Sequence, residues 1–196
     1  MSKLLRGMME NLFGLFPRIH CVLNEKWHTL KGRYQWYNIL QSLWNPFIEP
    51  KKACLTWLIT YRAIWTNKKA LKIHKGNGQC VRCSQEEDDL HIFFFCTDIS
   101  PVIHRIQQWI QSEGRAQWTF RSLLIGESIG CSSGLWAMLR VEILWWLWLK
   151  RLNAMYGNLY QDFNNLKESL IKVGEEYYIR TLERLEKNIE SLGGRF

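Results

Sequence analysis

Four side chains that commonly bind metals lie within seventeen residues and constrain this chain more than any other feature. They are Cys80, Cys83, His91 and Cys96, with the spacing Cys-x2-Cys-x7-His-x4-Cys. A Cys-x2-Cys pair on a turn flanked by glycine bends two thiolates toward one point, and the later histidine and cysteine can complete a tetrahedron. This is the geometry of closed structural zinc sites. The pattern therefore predicts one structural Zn²⁺ per chain.

Other chemistries fit the same pattern less well. Three cysteines and one histidine at these intervals match no common iron–sulfur sequence. A redox Cys-x-x-Cys would not need His91 and Cys96 at ligand spacing. A catalytic zinc keeps one coordination position open for water, which four protein ligands do not allow. Chance clustering of these residue types is the alternative left open.

The segment between the two ligand pairs is expected to begin a helix with Asp89 as its N-cap. His91 and Cys96 are five residues apart, about one and a half helical turns. We therefore expect them to converge only if the helix frays near Cys96. The acidic run 86–89 is expected to be a solvated loop, placed favourably near a helix N-terminus.

Apolar residues recur at helical spacing along most of the chain, and no run alternates as a strand would. Before Cys80, two helices are expected over about 3–16 and 34–44. A third is expected to start at Pro50. A short fourth helix, with Thr66 as its N-cap, is expected to hold Ala70 and Leu71. After the cysteines, Ser100-Pro101 and Thr119 are expected starts.

The C-terminal third has two helical patterns of different kinds. Residues 135–156 are apolar on nearly every side, which predicts a central helix. Residues 159–192 carry apolar side chains at alternating spacings of four and three, with a skip between Tyr177 and Leu182. The expected fold class is all-α: an irregular helical domain with a small Cys3His zinc-knuckle insertion and a long C-terminal helical hairpin.

The positive charge is concentrated before the cysteines. The chain carries +8 in all, with +10 in residues 1–79, −4 in 80–100 and +2 in 101–196. Such a local excess favours nucleic acid, RNA or single-stranded DNA, as a partner. The candidate phosphate contacts are Lys51, Lys52, Arg62, Lys68, Lys69, Lys72, Lys75 and Arg82. The four lysines between 68 and 75 are expected to form one basic ridge. A well-solvated helical surface is the alternative explanation.

Most of the eleven tryptophans lie on apolar faces and are expected in the core. Trp27 and Trp36 are expected to be exposed and are the candidates for stacking on unpaired bases. The remaining cysteines, Cys21, Cys54 and Cys131, fit no ligand spacing and are expected to be buried thiols.

A longer pattern surrounds the four metal-binding residues. It consists of Trp44, Ile48, Pro50, Lys51, Trp57, Thr66, Leu71, Phe93 and Trp109 together with the four ligands. This pattern, over about residues 34–110, resembles the reverse-transcriptase zinc-binding domain (zf-RVT) near the C-terminus of non-LTR (LINE-like) retrotransposon polyproteins. The stretch 144–153 is similar to a Trp-rich helix that often follows that domain, except that Leu152 separates Arg151 from Asn153. The resemblance implies zinc bound by the four ligands and a role in holding template nucleic acid near a reverse transcriptase.

Three regions are expected on this basis. They are an N-terminal helical extension over 1–33, a zinc-binding-like domain over 34–113 with its knuckle at 80–96, and a C-terminal helical region over 114–196. No polymerase or other enzyme is expected, because no nucleophile–base pair, phosphate-binding glycine loop or paired catalytic carboxylates stand out.

The expected function is that of a zinc-binding, nucleic-acid-binding accessory module derived from a non-LTR retrotransposon protein. The alternative is a non-catalytic protein-interaction or structural helical module, a decayed or domesticated fragment that uses its C-terminal helices. No secretory signal and no membrane-spanning stretch are predicted from the sequence. The expected location is therefore intracellular, either nuclear or cytoplasmic.

Overall fold

The computed structural model describes residues 19–45, 47–112, 119–127, 133–157 and 163–193. The expected helix over 3–16 and the Cys131 thiol lie outside these residues, as does the side chain of Trp109. Within the described ranges the chain is mostly helical and contains no strand, which confirms the predicted fold class. No helix in these ranges is both long enough and apolar enough to cross a bilayer.

The helix over Ile19–Trp27 was not predicted from the sequence, and the other elements follow the predicted order. In chain order the elements are α1 (Ile19–Trp27), α2 (Arg33–Leu43), α3 (Pro50–Thr60), α4 (Asn67–Leu71), a π-helical turn (His91–Phe95), α5 (Ser100–Ser112), α6 (Phe120–Ile125), α7 (Ser133–Tyr156) and α8 (Phe163–Gly193). Thr66 accepts a hydrogen bond from the backbone N–H of Lys69, and Thr119 accepts one from Ser122. Local capping chemistry therefore determines where α4 and α6 begin.

Helix α7 is the centre of the fold. Helices α2, α3, α6 and α8 and the π-helical turn all pack against it. Its buried side chains include Trp136, Ile143, Leu144 and Leu147, which lie on different sides of the helix. A helix that is apolar on nearly every side needs partners on nearly every side, and the fold supplies them.

A charged residue lies inside this core. The side chain of Arg140 donates hydrogen bonds to the carbonyls of Leu123 and Leu124 and to the hydroxyl of Thr60. It thereby satisfies carbonyls at the C-terminal end of α6 that have no partner within the helix. Burial lowers the pKa of the Arg140 guanidinium to about 9, so the group is still charged at neutral pH.

Helices α7 and α8 form the predicted C-terminal hairpin. Leu166 and Leu170 of α8 are buried, and Val173 and Tyr177 pack against the same core. A Cβ placed on Gly134, in the first turn of α7, would lie 3.3 Å from a ring carbon of Tyr177. On α8 the packed face therefore runs from Leu166 to Tyr177, which lies against the first turn of α7.

The N-terminal helices correct the expectations for two tryptophans and two cysteines. Trp27 and Trp36 are buried, not exposed. Their indole N–H groups donate to the Thr60 carbonyl and to the Asn24 side chain, so both rings are buried without an unsatisfied donor. Cys21 and Cys54 are exposed, not buried, because α1 and α3 direct other residues toward the core.

Candidate metal centre

The first ligand pair lies on a tight hairpin. Gln79 and Glu86 form an isolated antiparallel bridge, and the Cys80 N–H donates to the Gln85 carbonyl at 2.7 Å. The Ser84 N–H donates back to the Cys80 carbonyl at 2.8 Å. The chain between Cys80 and Cys83 is therefore held as a turn that directs both sulfur atoms to one side.

The second ligand pair lies at the two ends of the π-helical turn. The Cys96 N–H donates to the His91 carbonyl at 3.0 Å, an i to i+5 bond. This wider turn brings residues five apart together, which a regular α-helix does not do. The expected fraying near Cys96 is therefore wrong: the helix widens instead.

The cap of this segment also differs from the prediction. The side chain of Asp88, and not that of Asp89, accepts the N–H of His91 at 2.8 Å. Asp89 is directed to another helix, as described below. The acidic run therefore starts the helix one residue earlier than its sequence suggested.

The four ligand atoms converge. All lie within 4.8 Å of one another. The sulfur atoms of Cys80 and Cys96 are 3.9 Å apart, those of Cys83 and Cys96 are 3.6 Å apart, and Cys83 Sγ lies 3.2 Å from His91 Nε2. A tetrahedral zinc with its usual bond lengths would separate two sulfurs by about 3.8 Å and a sulfur from a nitrogen by about 3.6 Å. The cluster could therefore hold a metal ion of this kind.

Burial shapes the chemistry of the ligands. It raises the pKa of the Cys96 thiol to about 12, against the opposing charge of Arg82. It lowers the pKa of His91, which favours the neutral imidazole that binds metals. For Cys83, burial raises the pKa, but a backbone hydrogen bond from Gln85 and the neighbouring thiols bring it below its usual value. A metal cation would displace the thiol protons on binding.

The acidic run is not a solvated loop, which corrects another expectation. Glu87 is completely buried. Its carboxylate accepts from Arg151 Nη2 at 2.6 Å and Nε at 3.1 Å, and from the N–H of Asn67 at 2.9 Å. Burying a carboxylate is costly unless it is paired and hydrogen-bonded, and Glu87 is both. It joins the knuckle segment at 80–96, which we call the finger, to α4 and to α7.

Asp89 makes a second such connection. It accepts from Arg62 Nε at 2.6 Å and from Nη2 at 2.7 Å, a bidentate pair. This pair connects the finger to the residues that follow α3. The Asp89 carboxylate raises the pKa of Arg62.

Six of the eight predicted phosphate contacts are engaged within the chain. Lys52 pairs with Glu142 and Glu49, Lys51 pairs with Glu49, and Lys68 pairs with Glu86. Arg62 pairs with Asp89. Lys69 donates to the carbonyls of Arg62 and Ile64, and burial lowers its pKa. Arg82 donates to the Ile92 carbonyl.

Two predicted contacts are open to solvent. Lys72 and Lys75 are exposed, and neither makes an ion pair within the described residues. Helix α4 ends at Leu71, so the four lysines do not form one ridge along a helix. The chain turns beyond that point, and Lys69 is directed inward.

The sequence analysis did not identify an exposed aromatic residue that lies seven residues before Lys72 along the chain. The side chain of Trp65 is 55% exposed and lies directly before the N-cap of α4. Trp65 lies in the connection between α3 and α4 and does not belong to the apolar face of either helix. This position in the sequence could have indicated that the ring is exposed. The sequence analysis also assigned no acidic partner to Arg151. An arginine near the end of an apolar helix could have indicated one, because a buried charge needs a partner of opposite charge.

Comparisons with known proteins agree with this site. Residues 22–102 match the family model described as zinc-binding in reverse transcriptase, and all four ligands lie inside the match. A protein of Arabidopsis thaliana named as a ribonuclease H protein is 25% identical over 127 residues, which are 61% of this chain and 20% of that protein. The chain thus spans about a fifth of that relative's length. No solved structure matches the chain significantly. Over residues 22–102 the chain is therefore similar to reverse-transcriptase zinc-binding domains.

Proposed function

We propose that this chain is a zinc-stabilised accessory module that binds RNA or single-stranded DNA and has no catalytic activity of its own. It derives from a non-LTR retrotransposon protein and acts beside a reverse transcriptase, inside the cell. The observation that carries the proposal is a converged Cys3His cluster within a reverse-transcriptase zinc-binding domain, next to an exposed basic turn.

One structural Zn²⁺ is held by Cys80, Cys83, His91 and Cys96. The three sulfurs and one nitrogen are the donors that zinc prefers, and their separations suit a tetrahedron. Four protein ligands leave no position for a substrate or water, so the metal stabilises the fold and does no chemistry. An intracellular, reducing compartment would keep the three thiols available for the metal.

Metal analysis tests this part of the proposal. We expect about one zinc per chain, and we expect chelation to lower the melting temperature strongly, because structural zinc contributes on the order of 10 kcal/mol in small modules. Cys96→Ala should reproduce the chelated state without chelator, whereas Cys54→Ala, at an exposed thiol, should not. A metal-free wild type with unchanged stability would exclude a structural metal.

The proposed nucleic-acid surface is the basic turn, defined as residues 72–75, together with Trp65. The turn follows α4, which is fastened to the finger. Asn67 donates to the Gln79 carbonyl at 2.6 Å, and the side chain of Leu71 would meet a Cβ placed on Gly78 at 2.9 Å. The lysines of the turn are thus held in place relative to the metal centre.

Two chemical types of contact are available on this surface. The Lys72 and Lys75 ammonium groups attract phosphates by charge. Trp65 offers an exposed ring on which a base can stack. Stacking requires a base that is not paired inside a duplex, so the surface favours single strands.

A salt titration tests nucleic-acid binding. We expect the affinity of wild type for a single-stranded oligonucleotide to fall with salt, and we expect Lys72→Gln/Lys75→Gln to reduce the log–log slope by about 1.4, since each phosphate contact contributes about 0.7. The matched control, Lys167→Gln, removes one charge from an exposed lysine of α8 and is compared with Lys72→Gln alone. Equal effects of these two single variants would leave only non-specific attraction and reject this surface.

The accessory role is tested with a separate reverse transcriptase. We expect the chain alone to extend no primer, and we expect it to increase the retention of a template by the polymerase. Lys72→Gln/Lys75→Gln should lose the increase. An equal retention with and without the chain would contradict the accessory role.

A further inference from the structure

Helix α8 has two apolar faces. The first is the inner face, Leu166, Leu170, Val173 and Tyr177, which packs on the core. The second, which we call the outer stripe, consists of Ile171, Tyr178 and Leu182. These side chains are 42%, 58% and 60% exposed. At about 100° per residue the outer stripe lies roughly 130° around the helix from the inner face. Helix α7 therefore cannot cover both.

The inner face ends where its partner ends. Tyr177 lies against Gly134, in the first turn of α7. Helix α8 continues for sixteen more residues, to Gly193. At a rise of 1.5 Å per residue this is about 24 Å of helix beyond that contact. The continuing segment has lost α7 as a partner.

The skip in the sequence pattern marks this same point. The inner pattern ends at Tyr177, and the next apolar residues along the sequence are spaced to continue the outer stripe. Ile171, Tyr178, Leu185 and Leu192 occupy one heptad position, and Leu182 and Ile189 occupy the other. The helix therefore changes its apolar face where its intramolecular partner ends.

We propose that α8 pairs with α8 of a second copy of this chain, as an antiparallel two-stranded coiled coil over residues 171–189. In such a pair, Leu182 of each copy packs against Tyr178 of the other. The pairing covers an apolar stripe that the described residues of one chain leave exposed.

The charges along the stripe favour a second copy and an antiparallel orientation. Glu175 occupies the one core position of the repeat that is not apolar. A parallel, in-register pair would place two Glu175 carboxylates opposite each other, whereas an antiparallel pair places each opposite Leu185. The antiparallel register also sets Lys172 of one copy beside position 186 of the other, which is a glutamate. The stripe is thus complementary to itself.

Sedimentation equilibrium of the full, zinc-loaded chain tests the proposal without nucleic acid. We expect a concentration-dependent rise from 23.5 kDa toward twice that mass. Leu182→Glu should weaken the dimer roughly 30-fold or more. The control is Leu30→Glu, at a fully exposed leucine outside α8, which should leave the dimer intact. A wild type that stays monomeric at every concentration would mean that another segment or another protein covers the stripe, and would overturn the proposal. A Leu182→Glu variant that dimerises like wild type would overturn it too.

A charge exchange tests the orientation. Lys172→Glu should weaken the dimer, because it places two acids side by side, and Lys172→Glu/Glu186→Lys should restore it. No recovery in the double variant would exclude the antiparallel register. The separate Glu175→Leu variant should tighten the dimer by replacing a buried charge with an apolar side chain. Because each readout is a mass, failure of the nucleic-acid proposal would not affect the result.

Discussion

At the scale of single residues, Glu87 has the most consequential position. Its carboxylate is buried within the finger's spacer and accepts hydrogen bonds from Arg151 of α7 and from the first N–H of α4. One side chain thus joins three elements that are far apart in the sequence. Its neighbour Glu86 is exposed and makes an ordinary surface pair with Lys68.

We therefore predict very different effects of the same exchange at two adjacent positions. Glu87→Gln should lower the free energy of unfolding by about 3–5 kcal/mol, because it leaves Arg151 buried without its counter-charge. Glu86→Gln should cost less than about 1 kcal/mol, as is typical of surface pairs. Urea denaturation of both zinc-loaded variants measures the difference. Similar costs would show that the buried pair has no special role.

Trp65 provides a second residue-level prediction. Trp65→Ala should weaken binding to a single strand by about 1–3 kcal/mol, the usual contribution of one base–aromatic stack. The change should affect duplex binding much less. Tyr34→Ala, at another exposed aromatic, is the control. If both variants bind alike, the ring of Trp65 is not a stacking platform.

At the scale of elements, the end of α6 depends on a glycine for two reasons. Gly126 has a φ of +76°, which side chains rarely adopt, and an added Cβ would lie 2.8 Å from Arg140 Nη1. The glycine therefore permits both the left-handed end of α6 and the close approach of the arginine that satisfies its carbonyls. Gly157, after α7, has a nearly identical φ of +75°, and no atom of the described residues lies within 4 Å of an added Cβ.

The two glycines allow backbone strain to be separated from packing. Gly157→Ala should cost about 1 kcal/mol, from the left-handed backbone alone. Gly126→Ala should cost a further 1–3 kcal/mol or so, because it displaces Arg140 in a filled core. Thermal unfolding of the two variants gives the comparison. If both variants lose the same free energy of unfolding, the Arg140 side chain moves away from the added Cβ without cost.

The elements also show how far local sequence rules extend. The starts of α4 and α6 were predicted from Thr66 and Thr119, because a cap involves residues three apart. The π-helical turn was not predicted, since helical spacing rules assume about 3.6 residues per turn. The five-residue interval from His91 to Cys96 was the only local sign of it.

At the scale of the whole molecule, the candidate metal centre is connected to the helical body by two ion pairs. Arg62–Asp89 connects it to the end of α3, and Arg151–Glu87 connects it to α7. We predict that zinc removal lowers hydrogen-exchange protection in the last turns of α7 as well as in the finger. Helices α1 and α2, joined through Asn24, serve as the internal reference. A loss confined to residues 78–97 would contradict this coupling.

The charge distribution is a property of the whole molecule as well. The sequence placed an excess of +10 before the cysteines. The fold pairs much of it internally, with acids that come from the spacer at 86–89 and from Glu142 of α7. Among the predicted phosphate contacts, all of which lie in described residues, the part left without an internal partner is Lys72 and Lys75, at one turn. Net charge therefore predicted the type of partner to test, and the structure reduced the number of candidate phosphate contacts.

The sequence by itself predicted the four residues of the Cys3His cluster, the all-α class, several helix starts and the resemblance that the family match confirms. These features depend on residues close together along the chain, where spacing and capping are decisive. Only the tertiary structure decided which cations are free, that Trp27 and Trp36 are buried, and that Glu87 and Asp89 have arginine partners. It also revealed the outer stripe of α8. Each of these depends on which distant segment packs nearby, because burial and pairing are properties of the assembled core.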